Sequence, residues 1–431
     1  HHRLRPNHEQ LRPEQRLESM NILSIGSAGK MGKAVVSYLA KDPEVTQVGL
    51  LDNYEAGVKA LLSADTTGKL RGHPVNVDDL DKVKSAMSEY NVVVVTLPDR
   101  RTSYKVMEAA IDVRVHLVDI LEEYHRRPDV DETEGFAIPP QYGSFEEYGE
   151  MLHQKAIQND VLVLDGMGFA PGLSNVTTGH GISLLDTCNI AIARVGGIPS
   201  PDCCEKHPLR YMTTWSLEHV LREYNITTKI LKDGKAVIVP ALTDMELFKF
   251  TEFGIDTDME CAVTPGMPSF VYTHPDLHYF AEKTVRWPGH FQGVRTLMEC
   301  GLLDEAPVEF NGTKISPRKF FLHLVNPRLA PKENDSDVCV MYNTIFGTRD
   351  GKPVKVEYHM WEGASQGFSG MARVTSFPAA IGAKMVGAGR FAQRGIRAPE
   401  ECVVGENYPL FMEELKKVNI TIGEKISPAC E

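Results

Sequence analysis

A glycine-rich turn near the start of the chain has the residue types that hold the pyrophosphate of a dinucleotide. An apolar run at residues 22–25 predicts a buried strand, an apolar helical pattern follows the turn, and a second strand pattern ends at Asp52. Glycines let backbone N–H groups approach a phosphate at a helix N-terminus, and a further glycine lets the helix pack on the strand. The expected cofactor contacts are Gly26, Ser27, Ala28, Gly29, Lys30 and Met31, and the packing glycine is Gly32. This order of strand, glycine turn, helix, strand and acid predicts a Rossmann-type βαβ unit.

The acid at the end of the second strand bears on the choice of dinucleotide. A carboxylate at Asp52 can accept hydrogen bonds from the adenosine ribose hydroxyls and would repel a 2′-phosphate. Asn53 and the two residues after it bring no arginine for such a phosphate. We therefore expect NAD rather than NADP, with Asp52 and Asn53 in the cofactor site. An aspartate that only caps a turn is the plainer alternative, although it does not explain the whole unit.

Three later strand patterns end in polar or turn-forming residues. They lie at residues 91–97, 115–120 and 161–165, and the first is a continuous apolar run, as expected for a strand buried on both faces. Ligands of open parallel sheets bind outside the carboxyl ends of the strands, so these ends are expected to form one cleft. Its predicted walls beside the cofactor are Thr96, Leu97, Pro98, Asp119, Ile120, Phe169, Pro171 and Gly172.

Side chains at or just beyond the strand end at 119 are candidates for proton transfer. Asp119, Glu122 and His125 would lie beside the nicotinamide, where a buried carboxylate or imidazole has a shifted pKa and can act as a base. Strand-end acids also cap loops, so the choice among the three stays open. The stretch 122–149 is rich in charge, proline and glycine, which predicts a long surface loop or insertion.

A second set of residues has the side-chain types that bind a carboxylate or pack against an apolar chain. The guanidinium of Arg210 could hold both oxygens of a carboxylate, and Arg286 could do the same. Tyr211 and Trp215 could form the wall for an apolar amine chain. The alternatives are ion pairs for the arginines and core packing for the aromatic residues.

No metal site is expected from the sequence. His274 and His278 have an i, i+4 spacing that suits zinc on a helix, but no third ligand is apparent. Hydride transfer to a nicotinamide needs no metal.

Composition excludes several other classes of protein. The chain has 431 residues, with 46 Lys plus Arg against 58 Asp plus Glu, for a net charge of −12. Such a balance does not suit a nucleic-acid or membrane-surface partner, and no run approaches the roughly 18 apolar residues of a membrane span. The 8 cysteines form no CxxC pair, which favours free thiols and a cytoplasmic location.

Motifs in the middle of the chain resemble the saccharopine dehydrogenase family. They are the turn Gly196-Gly197-Ile198-Pro199, the stretch from His207-Pro208-Leu209 to Trp215-Ser216, and Phe169-Ala170-Pro171-Gly172-Leu173. Together with the GxxGxxG turn, the resemblance covers residues 20–425. It implies an α/β fold with a Rossmann-type dinucleotide-binding domain and a second α+β substrate and dimerisation domain, in a homodimer or larger homo-oligomer.

The resemblance and the length together predict the domain organisation. We expect a tag or disordered tail at residues 1–19 and a dinucleotide-binding domain at 20–150. A substrate-binding and oligomerisation domain should follow at 151–375. Helices at 376–431 should then return to the nucleotide domain.

The resemblance also implies the activity. The patterns around Gly197-Ile198-Pro199 and Trp215-Ser216-Leu217-Glu218 are most similar to lysine 6-dehydrogenase. They imply an NAD-dependent oxidoreductase acting on a CH–NH or CH–NH2 group, with oxidative deamination of the lysine ε-amine to the semialdehyde as the expected reaction. Arg210-Tyr211 is more similar to saccharopine-type enzymes, so formation or cleavage of saccharopine is an alternative. A non-catalytic NAD-binding sensor is the alternative from another class.

Overall fold

A computed structural model of the chain describes residues 19–98, 100–129 and 136–429. The tail predicted at residues 1–19 lies outside these ranges apart from Ser19. In chain order the strands are β1 Asn21–Ile25, β2 Gln47–Leu51, β3 Leu70–His73, β4 Val92–Val95, β5 His116–Asp119, β6 Leu162–Leu164, β7 Thr187–Pro199, β8 Thr227–Lys232, β9 Lys235–Pro240, β10 Glu246–Phe250, β11 Thr257–Val263, β12 Tyr279–Arg286, β13 Val308–Phe310, β14 Thr313–Ile315, β15 Asp337–Arg349, β16 Lys352–Gly363, β17 Gly395–Arg397 and β18 Gly423–Pro428.

The helices alternate with the strands in the first part of the chain and are spread among them in the rest. They are α1 Lys30–Lys41, α2 Glu55–Ala64, α3 Leu80–Met87, α4 Arg100–Asp112, α5 Phe145–Gln158, α6 Leu173–Ser183, α7 Leu217–Glu223, α8 Phe270–Thr273, α9 His290–Glu299, α10 Pro317–Leu329, α11 Gly370–Gly387, α12 Pro399–Cys402 and α13 Asn407–Lys417. None of the described helices combines the length and the apolar composition that a membrane span needs.

The first sheet is a parallel sheet of 7 strands in the order β17-β6-β5-β4-β1-β2-β3. The four valines of β4 are all buried, because helices cover both faces of the sheet. The chain order reverses between β1 and β4, since β2 lies on one side of β1 and β4 on the other. A ligand cleft is expected at such a switch point, outside the carboxyl ends of the strands.

The second sheet is a mixed sheet of 9 strands. Its main path is β10-β11-β12-β7-β15-β16-β18, and the β8–β9 hairpin joins it through β12. β12 and β7 pair in parallel, whereas the other described pairs of this sheet are antiparallel. The α/β architecture with a Rossmann-type domain and a second α+β domain is therefore confirmed.

Helix α11 joins the two sheets. It packs against α1, β4 and β5 on one side and against β15 and β16 on the other. Nearly every residue of the helix is buried, and one continuous apolar core runs from β1 through α11 to β15. The two sheets are thus held in one relative position, with a cleft between the glycine turn and β12.

The strands cross two of the domain limits drawn from the sequence. β6 belongs to the first sheet although it lies beyond residue 150, and β18 pairs with β16 in the second sheet although it follows residue 376, whereas β17 lies in the first sheet within the segment expected to return to it. β6 joins its sheet by parallel pairing, which needs a crossover through other elements before each added strand returns, whereas β18 joins by antiparallel pairing. The domain limits remain a prediction. The positions of β6 and β18 in the sheets would move two of those limits.

The stretch 122–149, predicted as a loop, ends in a helix. α5 begins at Phe145, where the Ser144 side chain accepts a hydrogen bond from the backbone N–H of Glu147 at 3.1 Å. Residues 130–135 of this stretch lie outside the described residues. The seven cysteines that the structure describes are free thiols.

Candidate active site

The glycine turn has the geometry that a pyrophosphate requires. Gly26 has a φ of +84°, and its N–H donates to the carbonyl of Leu51 at 2.9 Å, which fixes the turn to β2. α1 begins at Lys30, and its first turn leaves N–H groups facing out of the helix end. A Cβ at Gly32 would lie 2.0 Å from the Gly26 carbonyl oxygen, so only glycine allows this close packing. The residues present therefore fit a dinucleotide.

Asp52 makes backbone contacts that the sequence did not predict. Its Oδ2 accepts a hydrogen bond from the Ala28 N–H at 3.0 Å, and its Oδ1 accepts one from the Tyr54 N–H at 2.9 Å. Both carboxylate oxygens are thus bound to backbone of the turns beside them. The neighbouring Asn53 is exposed. Asp52 braces the glycine turn from the end of β2.

A cavity of about 330 Å³ lies between the carboxyl ends of the first sheet and the face of β12. Twelve of the predicted site residues line it: Gly29, Lys30, Met31, Thr96, Leu97, Pro98, Ile120, Glu122, Phe169, Pro171, Trp215 and Arg286. Other residues that sequence reasoning did not single out also line it, among them Arg100, His219, Glu223, Thr264, Glu282 and Thr284. The cavity therefore joins the predicted nucleotide edge to a polar wall from the second sheet and α7.

Four charged or titratable side chains meet at one end of the cavity. Ser216 caps α7 by accepting a hydrogen bond from the His219 N–H, and the helix then presents His219 and Glu223 one turn apart. His219 Nε2 is 3.1 Å from Glu223 Oε1 and 3.3 Å from Glu122 Oε2. Arg100 Nη2 donates to His219 Nε2 at 2.5 Å and to Glu122 Oε2 at 3.3 Å.

These contacts separate the protonation states of the cluster. Burial by itself would raise the pKa of Glu122, but hydrogen bonds from Glu223 and His219 outweigh it and lower that pKa. Burial and the neighbouring Glu122 raise the pKa of Glu223, and burial lowers the pKa of His219. At neutral pH the arrangement favours an ionised Glu122, a protonated Glu223 and a neutral His219.

The same cluster contains the ligand types of a metal site. The ligand atoms of Glu122, His219 and Glu223 lie within 4.8 Å of one another. The Arg100 guanidinium already supplies a positive charge in contact with His219 and Glu122. We therefore interpret the cluster as a proton-exchanging network and assign no metal to it.

Arg286 is buried at the other end of the polar wall. Its Nε donates to the Tyr224 hydroxyl at 2.8 Å, and its Nη1 donates to the carbonyls of Gly197 at 3.1 Å and Val285 at 3.0 Å. Its Nη2 has no hydrogen bond to any described residue. The guanidinium is therefore fixed in place with one nitrogen left to meet a ligand from the cavity.

Glu282 lies on the same face of β12 as Arg286. Its Oε2 accepts hydrogen bonds from the Thr264 hydroxyl at 2.6 Å and from the Gly266 N–H at 3.0 Å. Burial raises the pKa of its carboxyl group to about 8. A Cβ at Gly266 would lie 2.4 Å from Cδ of Glu282, so glycine is what lets the backbone come this close.

Two of the three predicted bases lie behind the cavity. Asp119 Oδ1 accepts hydrogen bonds from the N–H groups of Leu121 and Gly166, both at 3.0 Å. His125 is fully buried, with Nδ1 at 2.8 Å from Asp165 and Nε2 at 2.9 Å from the Ser103 hydroxyl. Neither side chain lines the cavity, because both are used to hold the loops after β5 and β6 together. Glu122 is the predicted base that the structure places in the cavity.

Arg210 points away from the cavity. Leu209 and Arg210 have φ values of +61° and +48°, and this turn directs the guanidinium to Glu205 at 2.7 Å and to the Pro288 carbonyl at 2.9 Å. The ring of Tyr211 is buried and packs 5.0 Å from the Arg286 guanidinium without lining the cavity. Gly26, Ser27, Ala28 and Gly172 support the nucleotide edge from outside the cavity lining.

Sequence reasoning missed Arg100, His219, Glu223 and Glu282. The i, i+4 pair after Ser216 and the alternation of 282, 284 and 286 along a strand were visible in the sequence. Those signals mark a shared face, but nothing local indicates that α7 meets the loop after β5, which is 97 residues away. The missing information was therefore long-range.

Comparison with known protein families decides the classification. Residues 22–141 match the saccharopine dehydrogenase NADP binding domain, and residues 168–420 match the saccharopine dehydrogenase C-terminal domain. The chain belongs to the saccharopine dehydrogenase family. The resemblance stated from the sequence is thereby confirmed.

Three curated relatives are each distant from this chain. A saccharopine dehydrogenase [NADP(+), L-glutamate-forming] of Pyricularia oryzae is 22% identical, over 64% of this chain and 76% of the relative. The protein of that name from Schizosaccharomyces pombe is 22% identical, over 67% of this chain and 60% of the relative. A carboxyaminopropylagmatine dehydrogenase of Synechocystis is also 22% identical, over 61% of this chain and 66% of the relative. In two of the three, the match spans less than two thirds of the relative.

A solved structure from the family supports the fold. The saccharopine dehydrogenase (L-Glu forming) from Saccharomyces cerevisiae superposes with a TM-score of 0.74 at 20% identity, covering 95% of this chain and 100% of that one. At this identity the likeness concerns the fold alone.

The expectation of NAD in preference to NADP is wrong. The domain that matches residues 22–141 is an NADP-binding domain, and two of the relatives are NADP(+) enzymes. The physical reason for the error lies at Asp52. Its two oxygens are bound to the backbone at Ala28 and Tyr54, so an acid at this strand end did not report on the ribose.

Proposed function

We propose that this protein is an NADP-dependent oxidoreductase acting on the C–N bond of an amino acid that carries an amine on its side chain. The observation that carries the proposal is one cavity that joins the nucleotide edge, the Glu122–His219–Glu223 cluster and the Arg286 guanidinium. When bound, NADP supplies the hydride acceptor. The residues of the chain bind, orient and exchange protons.

Arg286 binds the substrate carboxylate in this proposal. Its Nε and Nη1 are held by the Tyr224 hydroxyl and by the carbonyls of Gly197 and Val285, which leaves Nη2 for a ligand. The positive charge is buried without a carboxylate partner among the described residues. A substrate carboxylate in the cavity would supply that partner.

Glu122 and His219 handle the proton of the reacting amine. Glu122 lies in the loop after β5, at the nucleotide edge, so its ionised carboxylate can pair with the substrate ammonium. The ammonium gives one proton to the ionised Glu122 carboxylate, which His219 Nε2 contacts at 3.3 Å. The carbon next to nitrogen then loses a hydride, and the resulting imine adds water and releases ammonia to leave an aldehyde.

The lysine side chain is the first substrate to test. Saccharopine carries three carboxylates and would need several convergent arginines. Outside the cavity lining, Arg210 pairs with Glu205, and Arg295 donates to the Leu242 carbonyl. Arg100 and Arg286 are the arginines on the cavity among the described residues, and three acids accompany them.

Saccharopine is the second candidate, because two relatives are named for it. A non-catalytic sensor is not favoured, since a sensor has no use for a buried cluster of two carboxyl groups and an imidazole. A homodimeric state and a cytoplasmic location are proposed on the sequence alone.

The deciding experiment is an amine panel with NADP. Lysine, ornithine, saccharopine and carboxylated polyamines are mixed with the protein, and NADPH formation is followed by absorbance. The reverse reaction is followed as NADPH loss with the semialdehyde and ammonium or glutamate. We expect turnover with lysine or with saccharopine. Absence of turnover in both directions, with NADP binding intact, would overturn the proposed enzyme activity.

A further inference from the structure

The face of β12 carries two opposite charges into the cavity. Residues 282, 284 and 286 alternate with residues that point to the other side of the sheet, and all three line the cavity. About 13 Å of strand separates the Cα atoms of Glu282 and Arg286, and the positive charge of Arg286 still acts on the Glu282 carboxyl group. A carboxyl group and a guanidinium thus face one space, with the Thr284 hydroxyl between them.

Glu282 is built into this wall as an acceptor. Its Oε2 is held by the Thr264 hydroxyl and the Gly266 N–H, which orients the group and leaves Oε1 without a hydrogen bond to any described residue. The Thr264 hydroxyl is also 2.6 Å from the Thr284 hydroxyl, so the three side chains form one network. The side chain is 4% exposed, yet it borders the cavity.

The reacting amine does not need Glu282. That amine must lie by the nucleotide edge, where Glu122 and His219 already face it. Glu282 belongs to the opposite wall and to the second sheet. A carboxyl group placed there beside a carboxylate-binding arginine has the arrangement that recognises the ammonium and carboxylate of an amino-acid head group.

We propose that Glu282, held by Thr264 and Gly266, binds a second, non-reacting ammonium group of the substrate, so that the substrate is an amino acid whose free α-amine is required. The inference rests on the proposed function. It deepens that function by naming what the far end of the substrate must carry. Arg286 takes the α-carboxylate and Glu282 the α-ammonium.

The charges that face Glu282 agree with this assignment. Glu122 adds negative charge from the nucleotide edge, Glu223 on α7 is uncharged at neutral pH, and Arg286 is the positive group on the cavity face of the same strand. Burial holds the empty carboxyl group mostly protonated at neutral pH, and an arriving ammonium would displace that proton. Binding of such a ligand should therefore release a proton.

The test compares two probes that differ only in the α-amine. Lysine and 6-aminohexanoate are titrated calorimetrically into the full-length protein loaded with NADPH, where amine oxidation cannot proceed. We expect lysine to bind at least about tenfold more tightly, a difference of about 1.4 kcal/mol. Titration at pH 7 in two buffers of different ionisation enthalpy should reveal proton release with lysine and less with 6-aminohexanoate.

Variants test whether Glu282 is the source of the preference for lysine. Glu282→Gln should remove most of the preference for lysine, and Glu282→Asp, which keeps the charge, should restore part of it. Glu309→Gln, on the exposed strand β13, is the matched control and should behave as the parent protein. A circular-dichroism melt checks that each variant is folded.

Several results would overturn the inference. They are equal affinity for the two probes, a preference that survives Glu282→Gln, or no binding of either probe to the loaded protein. If the amine panel is oxidised while the two probes bind equally, the inference fails alone. If lysine is preferred through Glu282 but no amine is oxidised, the proposed activity fails and the binding site stands.

Discussion

Arg286 donates a hydrogen bond from Nε to the hydroxyl oxygen of Tyr224 at 2.8 Å. The Tyr224 hydroxyl is in turn 3.0 Å from Nε2 of His290, whose Nδ1 is 2.9 Å from the Leu209 carbonyl. Burial lowers the pKa of His290 to about 3, so the ring is neutral. The chain of donors then has one direction: Nδ1–H to Leu209, the Tyr224 hydroxyl to Nε2, and Arg286 to the Tyr224 oxygen. The guanidinium is therefore held by a chain of hydrogen bonds that runs through Tyr224 and His290 to the backbone of Leu209.

Loss of the hydrogen bonds that hold Arg286 should raise the Michaelis constant more than it lowers kcat. In Tyr224→Phe the Arg286 Nε loses its acceptor, at a cost of about 1 kcal/mol, and the Michaelis constant for lysine should rise about fivefold. Arg286→Lys removes the fork and should raise the Michaelis constant about a hundredfold. Steady-state kinetics separate KM from kcat. Tyr279→Phe, whose hydroxyl bonds to Asp244 outside the cavity, is the control; an equal effect in that variant would contradict the assignment.

Two glycines of the nucleotide turn should respond differently to a methyl group. In Gly32→Ala the new Cβ would meet the Gly26 carbonyl oxygen at 2.0 Å, so the turn must move and the protein should lose about 2–4 kcal/mol of stability. In Gly29→Ala the nearest atom is 3.4 Å away and φ is −75°, so folding should be kept. Urea unfolding measures both. Equal destabilisation of the two variants would show that the packing at Gly32 is not the limiting contact.

Asp52 should matter for NADP through the shape of the turn. In Asp52→Ala the N–H groups of Ala28 and Tyr54 lose their acceptor, and we expect the dissociation constant for NADP to rise about tenfold. Asp52→Asn keeps one acceptor oxygen and should fall between. Fluorescence titration with NADPH gives the constants, with exposed Asp78→Ala as the control. Tighter NADP binding in Asp52→Ala would mean that the carboxylate repels the 2′-phosphate after all.

The nucleotide half was predictable because its signals are local. The glycine turn, the strand that precedes it and the valine run of β4 lie within short stretches whose spacing carries the information. The switch point between β1 and β4 then follows from the parallel order, and it correctly located the cavity. The family resemblance depended on turns with similarly rigid sequence requirements.

The polar wall was not predictable because its contacts are long-range. His219 meets Glu122 across 97 residues, and Glu282 meets Thr264 across a strand pair. Arg210 lies outside the cavity lining, because the positive φ values at Leu209 and Arg210 turn its side chain outward. Asp119 also lies outside it, and its carboxylate accepts hydrogen bonds from the backbone amides of Leu121 and Gly166. Neither the backbone conformation at Arg210 nor the hydrogen-bond partners of Asp119 can be inferred from residue type.

Substitutions at Glu122 and His125 should affect different properties. We expect a loss of catalysis at Glu122 and a loss of folding stability at His125. Glu122→Gln removes the carboxylate that faces the amine, so kcat should fall by about two orders of magnitude or more with little change in melting temperature. His125→Asn breaks the buried contacts to Asp165 and Ser103 and should cost about 2–4 kcal/mol of stability. Kinetics and thermal melts are measured on both variants. A larger loss of kcat in His125→Asn than in Glu122→Gln would restore His125 as the base.

The last prediction concerns the pH dependence of stability at Glu282. Burial raises the pKa of its carboxyl group from 4.5 to about 8 in the folded protein. Below pH 4.5 the group is protonated in both the folded and the unfolded chain and does not affect the balance. As the pH rises towards 8, the unfolded chain ionises first, so the folded state becomes progressively less favourable by up to about 5 kcal/mol.

Glu282→Gln removes this titration and keeps an oxygen that can accept the hydrogen bonds from Thr264 and Gly266. In the absence of ligand, the variant should therefore gain stability over the parent protein as the pH rises from 5 to 8, and the two curves should converge below pH 4.5. Urea unfolding at a series of pH values measures the difference. A gap that is constant with pH would mean that the folded protein holds Glu282 ionised throughout, and the carboxyl group would then already have a cationic partner within the chain.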